Sequence, residues 1–592
     1  MKQTRGTYIA FSDLYDRRPA EDELLAIIKS MPLERALILA IRVNLSLRFV
    51  QQELGKPNFS RLQFLLASNF CNKDTFDLIK SRFGSHSGDE KSIALPIHCL
   101  NLLRLILLES TPTASAAQKD EEVRWNIGTS LLMMSDLLLK KEELQAIIHG
   151  TRNERALALM VQFLALFELL NPPKIHHLAI RYQLMFRTVL RADRVQRRIQ
   201  SECRNLNIEG TFQEITGLSL DRWLHSVFVM HFYYQLGSNP WDHHEEYFVI
   251  NRDNFVGTSD ISKAELDAIL GTVSGTYEEL RDALRGETRT DPRFDFVAFR
   301  KKPLLRLTGG QFACIDSSFL LEQVHVGVHW VIHDRLAKDK RDDLFRAWGV
   351  LFEEYVNYLF EGMKTNLPIA YFRAPRWMSG PKDNLSQESF DGVFVRGKIL
   401  CPMEFKGGFL SRKSRYSANA DAFVAEMRSK FGGPHQLASK IGHVFAEVKP
   451  KRRSIENVDS DAHSVVLPIL ILQDHIFRVP LLNWWLNLEF QRELSKYKLR
   501  PDVKVESLNV ITIHELESIV ASAEAANFDF VEALHQRATL DPEMGSELLD
   551  VLLQFSNFHD QKSRRALAAI DEWSKSLSGT LFPKEVEGDV NL

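Results

Sequence analysis

Cysteine is scarce in this chain, and its five residues show no pairing pattern. They are scattered through 592 residues and form no CxxC pair. That spacing excludes a secreted disulfide framework and argues against a structural zinc site. The sequence also lacks a G-x-x-x-x-G-K-[ST] loop and a G-x-S-x-G elbow. It therefore has no recognisable P-loop and no α/β-hydrolase serine motif, and any ATP-driven step would need a partner protein.

Long apolar runs and a strong net charge are absent as well. The longest mainly apolar run, residues 156–170, is too short to span a bilayer, and the N-terminal segment lacks the apolar stretch of a signal peptide. The net charge is −3, so any surface that binds phosphate must be local. These absences predict a cytoplasmic protein without membrane association.

The apolar residues that are present suffice for several cores. The chain is longer than the size at which single cores stop growing, and 45% of its residues are hydrophobic. Apolar residues recur every three or four positions in the first third, which predicts helices, and the small polar stretch 110–122 is typical of a linker. We predict a helical N-terminal domain over 1–110, a helical domain over 120–290, a small β-containing connector over 291–342, an α/β domain over 343–525 and a helical C-terminal region over 526–592.

From about residue 295 the pattern changes to short β-type segments. FDFVAF (294–299), PLLRL and QFACID predict short strands around the turn Gly309-Gly310. The apolar run 465–472 predicts a strand buried on both faces, although it contains Pro468. We predict a long amphipathic helix over 343–363, strands over 369–375, 388–395, 398–405 and 507–513, and a helix after the last strand. This order indicates an α/β sheet covered by helices.

Two carboxylates and a lysine stand out within the predicted strands. Asp391 lies in one strand and Glu404 near the end of the next, in the sequence SFDGVFVRGKILCPMEFK. The tip Arg396-Gly397-Lys398 predicts a hairpin, which places Asp391 and Glu404 close together across the ladder. Lys406 follows Glu404 by two residues and so lies on the same face of its strand.

The pair of Asp391 and Glu404 is suited to hold a divalent metal ion. Adjacent carboxylates repel each other unless a cation lies between them, and oxygen ligands suit Mg²⁺ or Mn²⁺. Such an ion serves phosphodiester cleavage, in which Lys406 would orient the attacking water or neutralise the phosphate. The alternative is a solvated pair of Glu404 and Lys406 on an edge strand. Their apolar neighbours favour a function, because charges in such a setting need a partner.

These residues resemble the PD-(D/E)XK nuclease superfamily over about residues 343–525. Gly349-Val350-Leu351-Phe352-Glu353 is similar to the G-x-x-F-E signature of the first helix of that family. Asp391 matches its first motif aspartate, and Glu404 with Lys406 matches its (D/E)xK. Gln436 resembles the glutamine that some branches carry on the following helix, although Lys440 stands where one branch has tyrosine. Glu354 adjoins Glu353, and we favour Glu353 as the matching carboxylate.

The resemblance implies both a fold and an activity. The implied fold is an α/β restriction-endonuclease-like nuclease core, a mixed sheet flanked by helices, embedded in a mainly α-helical multidomain chain. The implied activity is Mg²⁺- or Mn²⁺-dependent hydrolysis of nucleic acid, with DNA favoured over RNA, an endonuclease favoured, and a 3′-hydroxyl and a 5′-phosphate as products. It assigns the metal ion to Asp391, Glu404 and Glu353, and adds Lys406 and Gln436 as catalytic residues.

Basic residues cluster after the predicted strands and are candidates for phosphate contacts. Such contacts would supply affinity and little sequence information. The alternative is a solvated loop, and the two interpretations have similar weight. The candidates are Arg412, Lys413, Arg415, Lys451, Arg452 and Arg453.

Two other functions remain open beside a nuclease. One is a catalytically silent nuclease-like scaffold that binds nucleic acid or a partner protein. The other is an effector directed at RNA. Helical appendages on such nucleases recur in bacterial restriction and antiphage defence, so we expect a defence role, an ATPase or other defence protein acting in trans as partner, or a homo-oligomer. The sequence does not decide among these partners.

Overall fold

The computed structural model describes most of the chain. Within the predicted linker 110–122, residues 111–117 lie outside the described part. The described residues are 7–50, 56–83, 91–110, 118–138, 161, 164, 166–172, 175–238, 248–257, 259–286, 291–378, 388–416, 419–429, 431–448, 452–558, 568 and 571.

The first half of the chain is helical, as its apolar spacing predicts. A π-helical turn, Tyr182–Val189, continues directly from α8. The helices are α1 (Phe11–Tyr15), α2 (Glu21–Ser30), α3 (Leu33–Phe49), α4 (Lys56–Phe70), α5 (Lys73–Phe83), α6 (Pro96–Glu109), α7 (Asp120–Leu138), α8 (Ile175–Arg181), α9 (Asp193–Glu202), α10 (Ile208–Thr216), α11 (Leu220–Ser238), α12 (Arg252–Gly257), α13 (Lys263–Val273) and α14 (Tyr277–Arg285).

Local sequence explains where several of these helices begin. Ser262 accepts a hydrogen bond from the backbone N–H of Glu265, whose side chain accepts one from the N–H of Ser262, so α13 begins with a capping box. Thr276 and Glu279 repeat the arrangement at α14. Each pair satisfies backbone donors that a helix start otherwise leaves unpaired.

A four-stranded sheet lies beside these helices, in the order β3-β6-β5-β4. Gly309 and Gly310 take positive φ angles in the turn between β5 and β6, as predicted. The predicted strand 294–299 is wrong: Val297–Lys301 is a helix, α15, because Asp295 accepts the N–H of Val297 at 3.0 Å and starts a helical turn. The strands are β3 (Val249–Asn251), β4 (Ser274–Gly275), β5 (Leu304–Arg306) and β6 (Gln311–Cys314), and a separate two-residue pair joins β1 (Thr7–Tyr8) to β2 (Lys91–Ser92).

The largest sheet is mixed and occupies the second half of the chain. Strands β7, β8 and β9 form an antiparallel meander, and on its other side β9 pairs in parallel with both β10 and β11. The predicted strand 465–472 is therefore present but divided at Pro468, which has no N–H to donate. The strands are β7 (Ala370–Arg373), β8 (Gly392–Arg396), β9 (Ile399–Lys406), β10 (Val465–Val466), β11 (Ile469–Leu472), β12 (Lys504–Val505) and β13 (Asn509–Thr512).

Apolar side chains cover both faces of this sheet. Residues of β9 enter two different cores: Phe405 belongs to the core that includes Phe352 of α18 (Arg341–Glu361), and Leu400 belongs to the core that includes Leu437 of α21 (Gly433–Val444). The remaining helices are α16 (Ser317–Glu322), α17 (Val326–Arg335), α18 (Arg341–Glu361), α19 (Arg412–Tyr416), α20 (Ala420–Ser429), α21 (Gly433–Val444), α22 (Pro480–Leu494), α23 (Ile513–Ala526), α24 (Phe530–Leu540) and α25 (Leu548–Leu552).

The architecture matches the prediction at its coarser level, a mainly helical chain that contains mixed sheets. The long helix predicted over 343–363 is α18, and the helix predicted after the last strand is α23. Within the described part of the chain, no helix combines the length and apolar character needed to cross a membrane.

Candidate active site

The predicted hairpin is present and sets Asp391 opposite Glu404. Strands β8 and β9 are joined by Gly397 and Lys398, and Gly397 takes a φ of 55°. The ladder ends where Gly392 pairs with Met403, and Asp391 and Glu404 are the next residues on the two chains. The N–H of Asp391 donates to the carbonyl of Met403 at 3.1 Å, one residue out of the ladder register, so regular pairing stops here while Asp391 remains beside β9.

Glu404 is a buried carboxylate held by two lysines. Its side chain is 2% exposed. Lys406 Nζ lies 3.3 Å from Oε2, and Lys440 Nζ contacts Oε1. A buried anion with one cation at each oxygen is electrostatically satisfied, which explains how Glu404 is tolerated among apolar neighbours.

Helix α21 carries two polar residues to this end of β9. Gln436 Oε1 accepts a hydrogen bond from Lys406 Nζ at 2.7 Å. Lys440 is four residues further on and therefore lies on the same face of the helix. The helix approaches closely because it begins at Gly433, where a Cβ atom would lie 2.6 Å from Leu470 Cδ1.

The ionised form of Asp391 is destabilised by its surroundings. Burial and then the charge of Glu404 raise its pKa well above the usual range, while Lys440 and Lys406 act in the opposite direction. Burial acts to lower the pKa of Lys440, but Glu404 and Asp391 outweigh it and the net shift is upward. The two lysines therefore compensate the carboxylate pair only in part.

Glu353 borders the site from α18 but is held by an arginine. Arg198 of α9 donates to both of its oxygens, at 2.7 and 2.9 Å. The charge of Glu353 contributes to the raised pKa of Asp391. Helix α18 is fixed near β9 because Gly407 has no side chain: a Cβ there would lie 2.7 Å from Cβ of Phe352.

Glu354, the neighbour of Glu353, has different partners. Its side chain is 1% exposed and accepts from Arg194 at 2.7 Å, from Arg198 at 3.1 Å and from Arg373. Burial acts to raise the pKa of Glu354, and the hydrogen bond and charge of Arg373 outweigh it, so the net shift is downward. A carboxylate enclosed by three arginines is a structural anion. The preference for Glu353 over Glu354 is consistent with these contacts.

Several residues around the site are not among those that the sequence predicts. They include Lys440, which stands where one branch of the nuclease superfamily has tyrosine, and Arg198 and Arg373. Glu388 also adjoins these residues. Burial is the largest cause of its raised pKa and the charge of Glu353 is the second, while Arg198 and Lys440 act to lower it. A helical face shared by Gln436 and Lys440 was the one signal in the sequence that could have identified a member of this set.

The predicted phosphate-binding residues are divided between the surface and the interior. Lys413 is exposed. The prediction for Arg415 does not fit its position, because its side chain is 11% exposed and donates to Asp474 at 2.6 and 2.8 Å, with Glu168 at 3.5 Å. Arg415 therefore belongs to a buried ion-pair cluster.

The other predicted phosphate contacts include two described arginines, each with contacts inside the chain. Arg452 Nε donates to the carbonyl of Ala446 at 2.6 Å, and its Nη1 pairs with Asp461 at 3.2 Å, so it helps to fix its loop. Arg453 lies over the ring of Trp377, with its Cζ atom 5.3 Å from the ring centroid and so within cation–π range. Lys451 and the side chain of Arg412 lie outside the described residues.

The carboxylates fit a divalent ion in part. Among the residues that the structure describes, no three His, Cys, Asp or Glu side chains are grouped so as to hold a metal ion. Asp391 and Glu404 offer two hard oxygen donors whose mutual repulsion a cation would relieve. Mg²⁺ needs no more than one or two protein carboxylates when water and phosphate complete its shell. The third predicted ligand, Glu353, is engaged by Arg198 in this arrangement.

Comparison of the chain with protein-family models, with curated proteins and with solved structures finds no match in any of the three.

Proposed function

We propose that this chain is a metal-dependent nuclease that hydrolyses phosphodiester bonds, with DNA favoured over RNA. The observation that carries the proposal is the position of Asp391 opposite Glu404, with Lys406 Nζ between Glu404 and Gln436. Two carboxylates beside an ammonium group suit a divalent ion next to a phosphate.

The sheet around this site supports the same proposal. A helix with Glu353 precedes an antiparallel meander with Asp391, Glu404 and Lys406, and a helix with Gln436 follows, before further strands join in parallel. We infer a restriction-endonuclease-like core built from α18, β7 to β9, α21 and β10 to β13. The helical remainder would then serve recognition, regulation or assembly, in keeping with a defence role.

Each residue has a task that its contacts make feasible. Asp391 and Glu404 would hold Mg²⁺ or Mn²⁺. When bound, such an ion supplies a more acidic water and stabilises charge at phosphorus. Lys406 would present its ammonium group to the attacking water or to the phosphate oxygen. Gln436 accepts from Lys406 Nζ and so fixes the direction of that side chain.

Cleavage of defined DNA by the purified chain tests the proposal. Wild type and the variants Asp391→Asn and Lys406→Ala are incubated with duplex and single-stranded DNA in Mg²⁺, in Mn²⁺ and in EDTA, with RNA of the same sequence in parallel. We expect metal-dependent cleavage by wild type and a loss of at least about 100-fold in both variants, the size seen when one transition-state contact is removed. Equal rates in all three proteins would refute the assignment.

A silent scaffold is the second candidate, and one observation favours it. Glu404 and Glu353 are both paired with cations of the chain itself, Lys440 and Arg198 among them. Permanent pairs of this kind would leave no place for a metal ion. Tight nucleic-acid binding without cleavage of DNA or RNA in any metal would favour this candidate.

A further inference from the structure

Helix α9 and its flanks form the most arginine-rich segment near the candidate site. Residues 191–204 contain five arginines and two acidic residues, a surplus of three positive charges in a chain whose net charge is −3. The segment precedes the predicted α/β domain by more than a hundred residues, and none of the predicted site residues lies in it.

The helix divides into a buried face and an exposed one. Val195 and Ile199 are buried, and Cys203 continues that face beyond the helix end. Arg194 is 55% exposed at its side chain, Arg197 is exposed, and Arg204 is 71% exposed. Arg194 and Arg197 are three residues apart and so share a face of the helix.

Two arginines of α9 contact the acidic residues of α18 beside the candidate site. Arg198 reaches Glu353 with two hydrogen bonds, and Arg194 reaches Glu354 at 2.7 Å. At the other end of the helix, Arg204 Nε is 3.7 Å from Asp343 at the start of α18. Helix α9 therefore lies along α18, from the first turn of α18 to the carboxylate that adjoins Asp391.

The chemistry of this surface suits a phosphate backbone. Guanidinium groups present several N–H donors in a planar fork that matches phosphate oxygens. The side chains of Arg194 and Arg204 are mostly exposed, although their partners Glu354 and Asp343 are buried. Asp343 keeps Arg346 if Arg204 turns outward. Glu354 keeps Arg198 and Arg373 if Arg194 turns outward.

We propose that α9 is a DNA-backbone-binding surface on which Arg194, Arg197 and Arg204 contact phosphates of the strand presented to Asp391 and Glu404. The choice of DNA as partner rests on the proposed nuclease function. Among the predicted phosphate contacts, Arg415 does not add to a positive surface of this kind, because its guanidinium pairs with Asp474 and Glu168.

Binding without cleavage tests this surface. A triple variant, Arg194→Ala with Arg197→Ala and Arg204→Ala, is compared with wild type by fluorescence anisotropy, using a labelled duplex of about 30 base pairs in EDTA at several salt concentrations. We expect affinity to fall by at least about tenfold. The slope of log K against log salt should fall by about 2–3, since each phosphate contact on duplex DNA contributes about 0.9.

Two further variants keep the test specific. The triple change of the same residues to lysine should bind within about threefold of wild type, because point charges still meet phosphate. A matched control, Arg17→Ala with Lys29→Ala and Arg35→Ala, removes three basic side chains of the N-terminal region that are 53%, 57% and 38% exposed, each with an acidic partner. It should bind like wild type.

The outcomes separate this inference from the nuclease assignment. Unchanged affinity and salt slope in the alanine triple, equal losses in the control triple, or no DNA binding by wild type would each overturn the α9 surface. So would dependence on α9 for RNA and not for DNA. A chain that binds DNA through α9 but cuts nothing in any metal would support the surface while refuting the nuclease.

Discussion

The N–H of Phe405 donates a hydrogen bond of 2.6 Å to Oδ2 of Asp391, so the first carboxylate of the candidate site is tied to the strand that carries the second. This bond fixes the side chain of Asp391 toward β9 without satisfying all of its acceptor capacity. It also holds Asp391 beside β9, one residue before β8 begins. The carboxylate pair is therefore positioned by backbone geometry before any ligand binds.

The packing of α18 on β9 should depend on Gly407. In Gly407→Ala the new methyl group meets Phe352 at 2.7 Å and Gly349 Cα at 3.2 Å, so α18 must move away from the sheet. We expect a loss of about 1–3 kcal/mol in the free energy of unfolding, as for other overpacked sites, measured by urea titration. Gly349→Ala in the same helix is the matched control, because a Cβ at Gly349 has open space around it and alanine favours the helix by about 1 kcal/mol. Equal effects of the two changes would contradict the packing argument.

Lys440 should compete with a divalent ion for Glu404. Its ammonium group contacts Oε1, an oxygen that a metal ion would need. Lys440→Met removes the competing charge, so we expect Mn²⁺ affinity to rise by about tenfold in isothermal titration calorimetry without DNA. Lys413→Met, which changes an exposed lysine on α19, serves as the control. Weaker Mn²⁺ binding in Lys440→Met would show that Lys440 assists the ion instead.

Arg415 should contribute to folding stability and Lys413 should not. Arg415→Ala leaves the buried carboxylates of Asp474 and Glu168 without one of their cations. Breaking a buried ion pair from one side costs about 3–5 kcal/mol, and thermal or urea unfolding would measure it. Lys413→Ala should change stability by less than about 0.5 kcal/mol, as for surface positions generally. A small effect of Arg415→Ala would contradict the structural role and would make Arg415 a candidate for phosphate contact again.

Glu517 should make the chain sensitive to acid. Burial alone would raise its pKa, but Arg181 and His177 outweigh it and lower the pKa to about 2. The unfolded value is about 4.3, so the stability that Glu517 contributes is present above that pH and is lost as pH falls toward 2. Glu517→Gln should cost about 3 kcal/mol at pH 7 and flatten the fall in unfolding free energy between about pH 4.3 and 2.

A parallel titration of Glu214→Gln controls for general acid effects. Glu214 is exposed on α10, and its replacement should leave the acid side of the stability curve unchanged. If wild type and Glu517→Gln show the same slope over that window, the buried contacts of Glu517 with Arg181 and His177 do not govern acid stability.

The parts of the site that the sequence predicts are those built from local contacts. Asp391 and Glu404 belong to one hairpin, so alternation of side chains and a two-residue tip suffice to pair them. The contact of Arg198 with Glu353 joins residues 155 apart and leaves no periodic signal. The prediction that Arg415 contacts phosphate does not fit its position for a related reason: a run of basic residues has the same sequence pattern in a solvated loop as beside buried acids.

The strand predicted over 294–299 shows another limit. Three phenylalanines in near alternation favour a strand, but Asp295 accepts the N–H of Val297 and the chain turns into a helix. Local turns of this kind, which include a side-chain-to-backbone bond, favour the helix and are not visible in the apolar pattern. The strand predicted over 465–472 is present despite Pro468. It continues on both sides of Pro468 and is interrupted only near that residue, whose missing N–H leaves no ladder bond.

The arginines around Glu353 and Glu354 bear on whether the sheet can be separated from the helices. A fragment limited to 343–525 would keep Arg373 but lose Arg194 and Arg198, and it would also remove Arg181 and His177 from Glu517. The carboxylates of these glutamates would then lose cationic partners that the whole chain supplies. The predicted α/β domain therefore depends on the helices that precede it, so that it could be fused, swapped or inherited as a stable unit only together with them.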